Sequence, residues 1–219
     1  MSFEIDSGHC EHSEIASHIQ AISPGLHLPF NSRFRGGAQP ALRAAIFLDR
    51  DGVIVRDVHY LKKLSQIELL SSAALLGALR GRFYLVVATN QSGIARGLLT
   101  EEDLLNIHSE LVLQLAAEGV IIDAFYYCPH LPAATIDSYR IACECRKPKA
   151  GMLLRAAADW RIDIQRSYIV GDSDSDVEAG RAAGLAENIL LGGSPDVVRE
   201  YTCAKDLSQA VQIILGGAA

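Results

Sequence analysis

From residue 44 onward the chain alternates short, wholly apolar runs with longer stretches of helical period. The apolar runs are AAIFL (44–48), FYLVVA (83–88), AFYYC (124–128), YIVG (168–171) and NILL (188–191). None alternates apolar with polar positions, so each reads as a strand covered on both faces, as in a parallel sheet. Helices are predicted over 71–79, 100–117, 151–160, 175–183 and 206–215. The second begins with Thr100 followed by Glu101, Glu102 and Asp103, a capping hydroxyl and an acidic first turn that suit the positive end of a helix dipole. Strands alternating with helices predict an α/β domain with a doubly wound, mostly parallel sheet over 41–219.

Two stretches break the pattern. Residues 1–40 lack strong periodicity and carry Pro24, Pro29, Pro40 and the pair Gly36-Gly37; they read as an extension that wraps the domain. Cys10, His12 and His9 lie there, too closely spaced and without a second pair to make a convincing metal site. Residues 129–150 hold three prolines inside an otherwise compact pattern, and so long a loop needs either a function or a staple.

Composition narrows the class. The chain has 219 residues, enough for one well-buried domain, and 49% of them are apolar. A formal net charge of −6 implies no basic face, which argues against nucleic acid as a partner. No apolar run is long enough to cross a bilayer, and the first residues, MSFEIDSGHCEHSE, have neither the basic nor the apolar region of a secretory signal. A cytoplasmic protein without a membrane partner is expected. Of five cysteines, Cys128, Cys143 and Cys145 crowd into one segment with His130, which fits a metal site in a reducing compartment better than a disulfide framework.

Three of the strands end in polar clusters: Asp49-Arg50-Asp51, Thr89-Asn90-Gln91-Ser92-Gly93, and Gly171-Asp172. Ligands of open α/β sheets bind at the carboxyl ends of strands, so the clusters are expected to converge on one pocket. Each meets a need of phosphate chemistry. A phosphate monoester repels nucleophiles, but a carboxylate can attack when a cation screens the charge. Asp49 is the candidate nucleophile. Asp51 is the candidate acid, protonating the leaving alkoxide and then accepting a proton from water. Asp172, with Asp49 and the backbone carbonyl of Asp51, offers hard oxygen ligands to Mg²⁺. Lys147 offers a point charge to the phosphoryl oxygens, Thr89 and Asn90 offer neutral hydrogen bonds, and Asp176 supports the metal site from behind. Any one cluster alone is more often a cap or turn; together, in this order, they specify a site. Cys128, His130, Cys143 and Cys145 make two closely spaced pairs, a complete ligand set for a closed, structural Zn²⁺ site. Because Arg146 and Lys147 follow Cys145 directly, pinning this loop (128–145) pins both cations.

The strings DRDGV, TNQSG, the lysine of RKP, and GDSDSD resemble the four motifs of the haloacid dehalogenase (HAD) superfamily of Mg²⁺ phosphohydrolases. LDRDGVI (48–54), TNQSGIARG (89–97) and YYCPH with CECRKPKAGM (126–152) resemble, more finely, the D-glycero-D-manno-heptose 1,7-bisphosphate 7-phosphatase family. The resemblance implies a HAD-like, Rossmannoid fold with a minimal cap and a zinc-stapled loop. It implies that Asp49 is the nucleophile and Asp51 the proton donor, with Thr89 and Lys147 in the catalytic set. It also implies Mg²⁺ on Asp49, Asp51 and Asp172, and zinc on the Cys/His set. Substrate contacts are implied for Asp57, Val58, His59, Tyr60, Thr89, Asn90, Gln91, Ser92, Arg146 and Lys147. The expected partner is a small phosphorylated sugar, the expected state a monomer, and the expected pathway heptose precursors of lipopolysaccharide or S-layer glycan. Ser173 stands where the family often has lysine. Histidinol-phosphate phosphatase shares the zinc loop and is the alternative enzyme. A DNA 3′-phosphatase and a non-catalytic, zinc-stabilised binding protein are the remaining alternatives.

Overall fold

A computed structural model describes residues 19–23, 25–29, 42–193 and 200–217. Cys10, His12 and His9 lie outside the described residues, as does most of the segment 1–40. The strands are β1 (Ile19–Ser23), β2 (Leu26–Pro29), β3 (Ala45–Leu48), β4 (Tyr84–Asn90), β5 (Ala124–Cys128), β6 (Tyr168–Gly171), β7 (Glu187–Leu191) and β8 (Thr202–Ala204). The helices are α1 (Ser92–Ala95), α2 (Glu101–Ala117), α3 (Gly151–Trp160), α4 (Asp174–Ala183) and α5 (Leu207–Gly217). One sheet runs in the order β1-β2-β5-β4-β3-β6-β7-β8. The six strands from β5 to β8 are parallel, and β1 and β2 pair antiparallel at the edge.

The unbroken apolar runs become strands because both sheet faces are covered. Successive side chains of a strand point to opposite faces. Ile46 and Leu48 of β3, with Leu85 and Val87 of β4, therefore join Leu111 and Leu115 of α2 and Leu207, Ala210 and Ile214 of α5. Ala45, Phe47, Val86 and Ala88 face the other way, onto Met152, Leu153, Ala156 and Trp160 of α3. All four residues of β3 are fully buried, which places the candidate nucleophile Asp49 at the end of the innermost strand. This is the doubly wound α/β arrangement, with helices on both faces.

The predicted helix over 71–79 is a shorter and tighter 3₁₀ segment, Ala73–Leu79, which brings Gly77 up to the Gly119 carbonyl. Thr100 caps α2 as its sequence implies, and Asp103 returns the bond to the Thr100 backbone. The β1–β2 hairpin and β8 are not visible as periodic patterns. The hairpin strands have five and four residues, with Gly25 turning before the second, and β8 has three. Runs so short give little periodicity to read. No helix among the described residues is long and apolar enough to cross a membrane.

Candidate active site

The backbone after β3 turns sharply. Asp49 N–H donates to the Val170 carbonyl of β6, and the N–H groups of Ile54 and Val55 both return to the Arg50 carbonyl. Gly52 takes a left-handed φ of 75°, and a Cβ built there would overlap the Asp172 carboxylate. The glycine of the first motif thus makes room for the aspartate of the last. Gly171 does the same for Asp176, whose side chain occupies the space a Cβ would fill.

Asp49, Asp172 and Asp176 bring their carboxylate oxygens within 4.8 Å of one another. Lys147, 3% exposed, lies between two of them, 3.0 Å from Asp49 Oδ1 and 2.5 Å from Asp176 Oδ1, and donates to the Ala88 carbonyl at 2.7 Å. Burial would lower the lysine's pKa, but the charges of Asp49 and Asp176 outweigh it and hold the ammonium above its ordinary value. Asp49 is pushed up to about 7, chiefly by burial; Lys147 pulls it down, while Asp176 and Asp51 add repulsion. Asp172 is pushed up to about 6 by burial and then by the charge of Asp176. An all-oxygen set, crowded and short of positive charge, fits a hard dication such as Mg²⁺. Asp176 also accepts from Ser173 N and Oγ at the start of α4, so it backs the cluster from inside, and Ser173 acts here as the helix cap.

Several expected contacts fall differently. The Asp51 side chain bonds to Arg50 and Gln91 rather than joining the carboxylate cluster, and the next residue, Gly52, lies against Asp172. Asn90 spends its side-chain amide on Lys147, donating to its carbonyl and accepting from its N–H, both at 3.1 Å. One amide N–H and the amide oxygen thus brace the backbone of Lys147, and the second N–H is not committed by these bonds. Gln91 donates to Asp51 Oδ2 at 3.1 Å and to Thr89 Oγ1 at 3.0 Å, leaving the buried threonine hydroxyl proton unspent. Arg146 reaches the His130 carbonyl at 3.4 Å and so leans on the Cys/His loop.

A cavity of about 130 Å³ beside Asp51 is lined by Arg50, His59, Tyr60, Asn90, Gln91 and Ser92 among others. Tyr60 lies against Gly93, and His59, bonded through its N–H to Asp57 Oδ1, adopts a left-handed φ of 68°. Asp57 and Val58 are exposed and do not line this cavity; the charge of Asp57 is felt at Asp172 instead. On the other side of Asp172 a wider cleft of about 660 Å³ includes Gly52, Ser71, Ser72 and Lys205.

The second cluster holds Cys128, His130, Cys143 and Cys145, whose donor atoms also lie within 4.8 Å of one another. Sulfur–sulfur distances are 3.2–3.5 Å, and His130 Nδ1 lies 3.3 Å from Cys145 Sγ and 3.7 Å from Cys128 Sγ. Donors on one tetrahedral zinc ion stand about 3.5–3.8 Å apart, whereas a disulfide needs about 2.05 Å. The spacing is near that of a zinc site and far from that of a disulfide. Hydrogen bonding from Cys128, and then from Cys143 and His130, lowers the Cys145 thiol to about 5, as suits a thiolate ligand.

Sequence reasoning passed over three residues. Arg50, 1% exposed, binds both oxygens of Asp51. His108 sits fully buried within the apolar stripe of α2, and that polar residue among Leu104, Ile107 and Leu111 was the available signal. Glu101 accepts from both Tyr127 and Tyr139, tying the loop after β5 to the start of α2.

Residues 144–208 match the HAD-hydrolase-like family model. A D-glycero-β-D-manno-heptose-1,7-bisphosphate 7-phosphatase of Rhodopseudomonas palustris is 43% identical over 157 residues, 71% of this chain and 87% of that protein. Its counterpart from Escherichia coli K12 is 39% identical over 164 residues, 74% of this chain and 86% of its own length. Among solved structures, a HAD-like phosphatase of Mesorhizobium loti is 33% identical and superposes with a TM-score of 0.77 over 89% of this chain and 93% of its own. The D,D-heptose 1,7-bisphosphate phosphatase of Bordetella bronchiseptica, complexed with magnesium and phosphate, is 30% identical with a TM-score of 0.69, over 80% of this chain and 99% of its own. With 43% identity across most of both chains, the protein belongs to the heptose-1,7-bisphosphate 7-phosphatase family of HAD-like hydrolases.

Proposed function

We propose that the protein is a Mg²⁺-dependent phosphatase that removes the C7 phosphate of D-glycero-D-manno-heptose 1,7-bisphosphate and leaves the C1 phosphate in place. The β anomer is favoured because the relatives at 38–43% identity carry that name. The observation that carries the chemistry is the partly buried Asp49, held 3.0 Å from Lys147 and crowded by Asp172 and Asp176.

Asp49 attacks phosphorus, and the heptose C7 oxygen leaves as its bond to phosphorus breaks. Asp51 protonates that oxygen, then takes a proton from the water that hydrolyses the aspartyl-phosphate. Asp49, Asp172 and the Asp51 backbone would hold Mg²⁺, which would supply positive charge to the phosphoryl oxygens. The Thr89 hydroxyl donates to one of those oxygens. Lys147 orients Asp49 and favours its ionised form against the cost of burial. Arg146, His59, Tyr60 and Ser92 would contact the sugar or its retained phosphate. Cys128, His130, Cys143 and Cys145 would hold zinc, which would fix the loop that delivers Arg146 and Lys147. A monomeric, cytoplasmic enzyme in heptose-precursor synthesis completes the reading.

The test compares kcat/KM for both anomers of the heptose bisphosphate and for histidinol phosphate. A preference for the β heptose substrate supports the proposal. Faster turnover of histidinol phosphate would move the protein to its nearest alternative.

A further inference from the structure

Arg50 stands between the nucleophile and the acid in the chain, at the edge of the cavity beside Asp51. Its side chain is 1% exposed, yet it carries a full charge. Nε reaches Asp51 Oδ1 at 3.2 Å, and Nη2 reaches Asp51 Oδ1 at 3.0 Å and Oδ2 at 2.8 Å. Nη2 also donates to Gln91 Oε1 at 3.0 Å, and Nη1 lies 3.4 Å from His108 Nε2. A guanidinium can only donate, so Nε2 of His108 is the acceptor and its ring proton sits on Nδ1. His108 is itself fixed, fully buried and stacked on Phe125 with ring centroids 4.5 Å apart and planes inclined by 23°.

Desolvating a guanidinium is costly, and an apolar side chain of similar volume usually serves stability as well or better. The ion pair itself joins chain neighbours, while the bonds from Arg50 to Gln91 and His108 anchor the guanidinium to the loop after β4 and to α2. What the pair fixes is the rotation of the Asp51 carboxylate. Arg50 grips both oxygens as a fork, and Gln91, itself held by Arg50 and Thr89, adds a third point. The side chain of Asp51 is left 25% exposed, at the 130 Å³ cavity.

We infer that Arg50, seated on His108, is a positioning residue that fixes the Asp51 carboxylate for the step in which it takes a proton from water, and that Gln91 extends this hold to Thr89. The inference rests on the reading of Asp51 as the acid–base group. It gives a role to a buried charge that the phosphoryl chemistry itself does not require.

Phosphate release from heptose 1,7-bisphosphate by Mg²⁺-loaded protein tests it, with Arg50→Lys, Arg50→Met, Asp51→Asn and the Arg50→Lys/Asp51→Asn double variant. Asp51→Asn is expected to lower kcat by ~100-fold or more, the scale of a lost acid–base group. Arg50→Lys, which keeps the charge but not the fork, should lower kcat by ~10-fold with KM within about threefold, and Arg50→Met should lower it further. The double variant should fall within about twofold of Asp51→Asn alone, because a residue acting only through Asp51 has nothing left to act on. Arg50 variants with wild-type kcat would overturn the inference. So would a double variant reduced by the full product of the single losses, or an Arg50→Lys protein that does not fold, since each marks a structural role. Full turnover by Asp51→Asn would instead remove the acid–base reading on which the inference stands.

Discussion

At the scale of single residues the site is a balance of buried charge, and neighbouring aspartates are predicted to respond oppositely to the same substitution. Without metal, Asp49 and Asp172 sit at about 7 and about 6, above the ordinary carboxylate value of 3.8. Between those limits the folded chain binds more protons than the unfolded chain, so this pair's contribution to stability is full near pH 4 and is lost as pH rises towards 7. A dication reverses that loss by favouring the ionised form. The rise in melting temperature on adding Mg²⁺ should therefore be larger at pH 8 than at pH 5; equal shifts would contradict the assignment. Asp49→Asn should abolish turnover while melting no lower than wild type at pH 8 without metal, because it removes a crowded charge and Lys147 keeps Asp176. Asp51→Asn should instead cost about 2 kcal/mol, because it strips the buried Arg50 of its counter-charge. Thermal melts of the two variants side by side check the contrast.

Asp49, Asp51, Thr89, Lys147 and Asp172 are legible in the sequence because each chemical role demands one residue type at a strand end or loop. Asn90 and Gln91 were legible as members of the site but not by task. Whether an amide faces ligand or protein depends on partners such as Lys147, 57 positions along the chain. Arg50 escaped notice for the same reason: its meeting with His108 spans 58 positions.

At the scale of elements, the loop between β5 and α3 is anchored at several points. Thr135 and Ile136 N–H groups both donate to the Ala95 carbonyl of α1, Glu101 binds the Tyr127 and Tyr139 hydroxyls, and Gly151 N–H donates to the Glu144 carbonyl. Gly151 must be glycine here, since a Cβ would run into that carbonyl. These bonds hold the outer loop, while the Cys/His cluster holds the end that carries Arg146 and Lys147. Cys143→Ser is expected to lower zinc content and to reduce kcat by ~10-fold or more, since small misplacements of a positioned group cost about that much or beyond. Elemental analysis with steady-state kinetics checks it; zinc-free protein with wild-type kcat would detach the loop from catalysis. The gathering of Cys128, His130, Cys143 and Cys145 was readable from their spacing. The β1–β2 hairpin was not, because its only local mark is Pro24-Gly25, and its second strand is fixed by pairing with Phe125 and Tyr126 of β5.

At the scale of the molecule, strand order explains why scattered motifs become one site. β3 lies between β4 and β6, so the ends that carry Asp49, Thr89 and Asp172 are neighbours. The runs that form these strands were legible because both faces are buried. The order itself was expected from the doubly wound class rather than from any one residue. Leu111, buried where α2 meets the sheet, should cost about 3 kcal/mol when changed to alanine, while kcat at 25 °C stays near wild type. Denaturant unfolding beside kinetics tests this separation of fold from chemistry.

The most direct test of the central claim is to follow Mg²⁺-loaded protein acting on heptose 1,7-bisphosphate by ³¹P NMR, with Asp49→Asn in parallel. Loss of the C7 phosphate signal, retention of the C1 signal and a silent Asp49→Asn variant are the predicted result. Loss of the C1 phosphate, no turnover, or an active Asp49→Asn variant would contradict it.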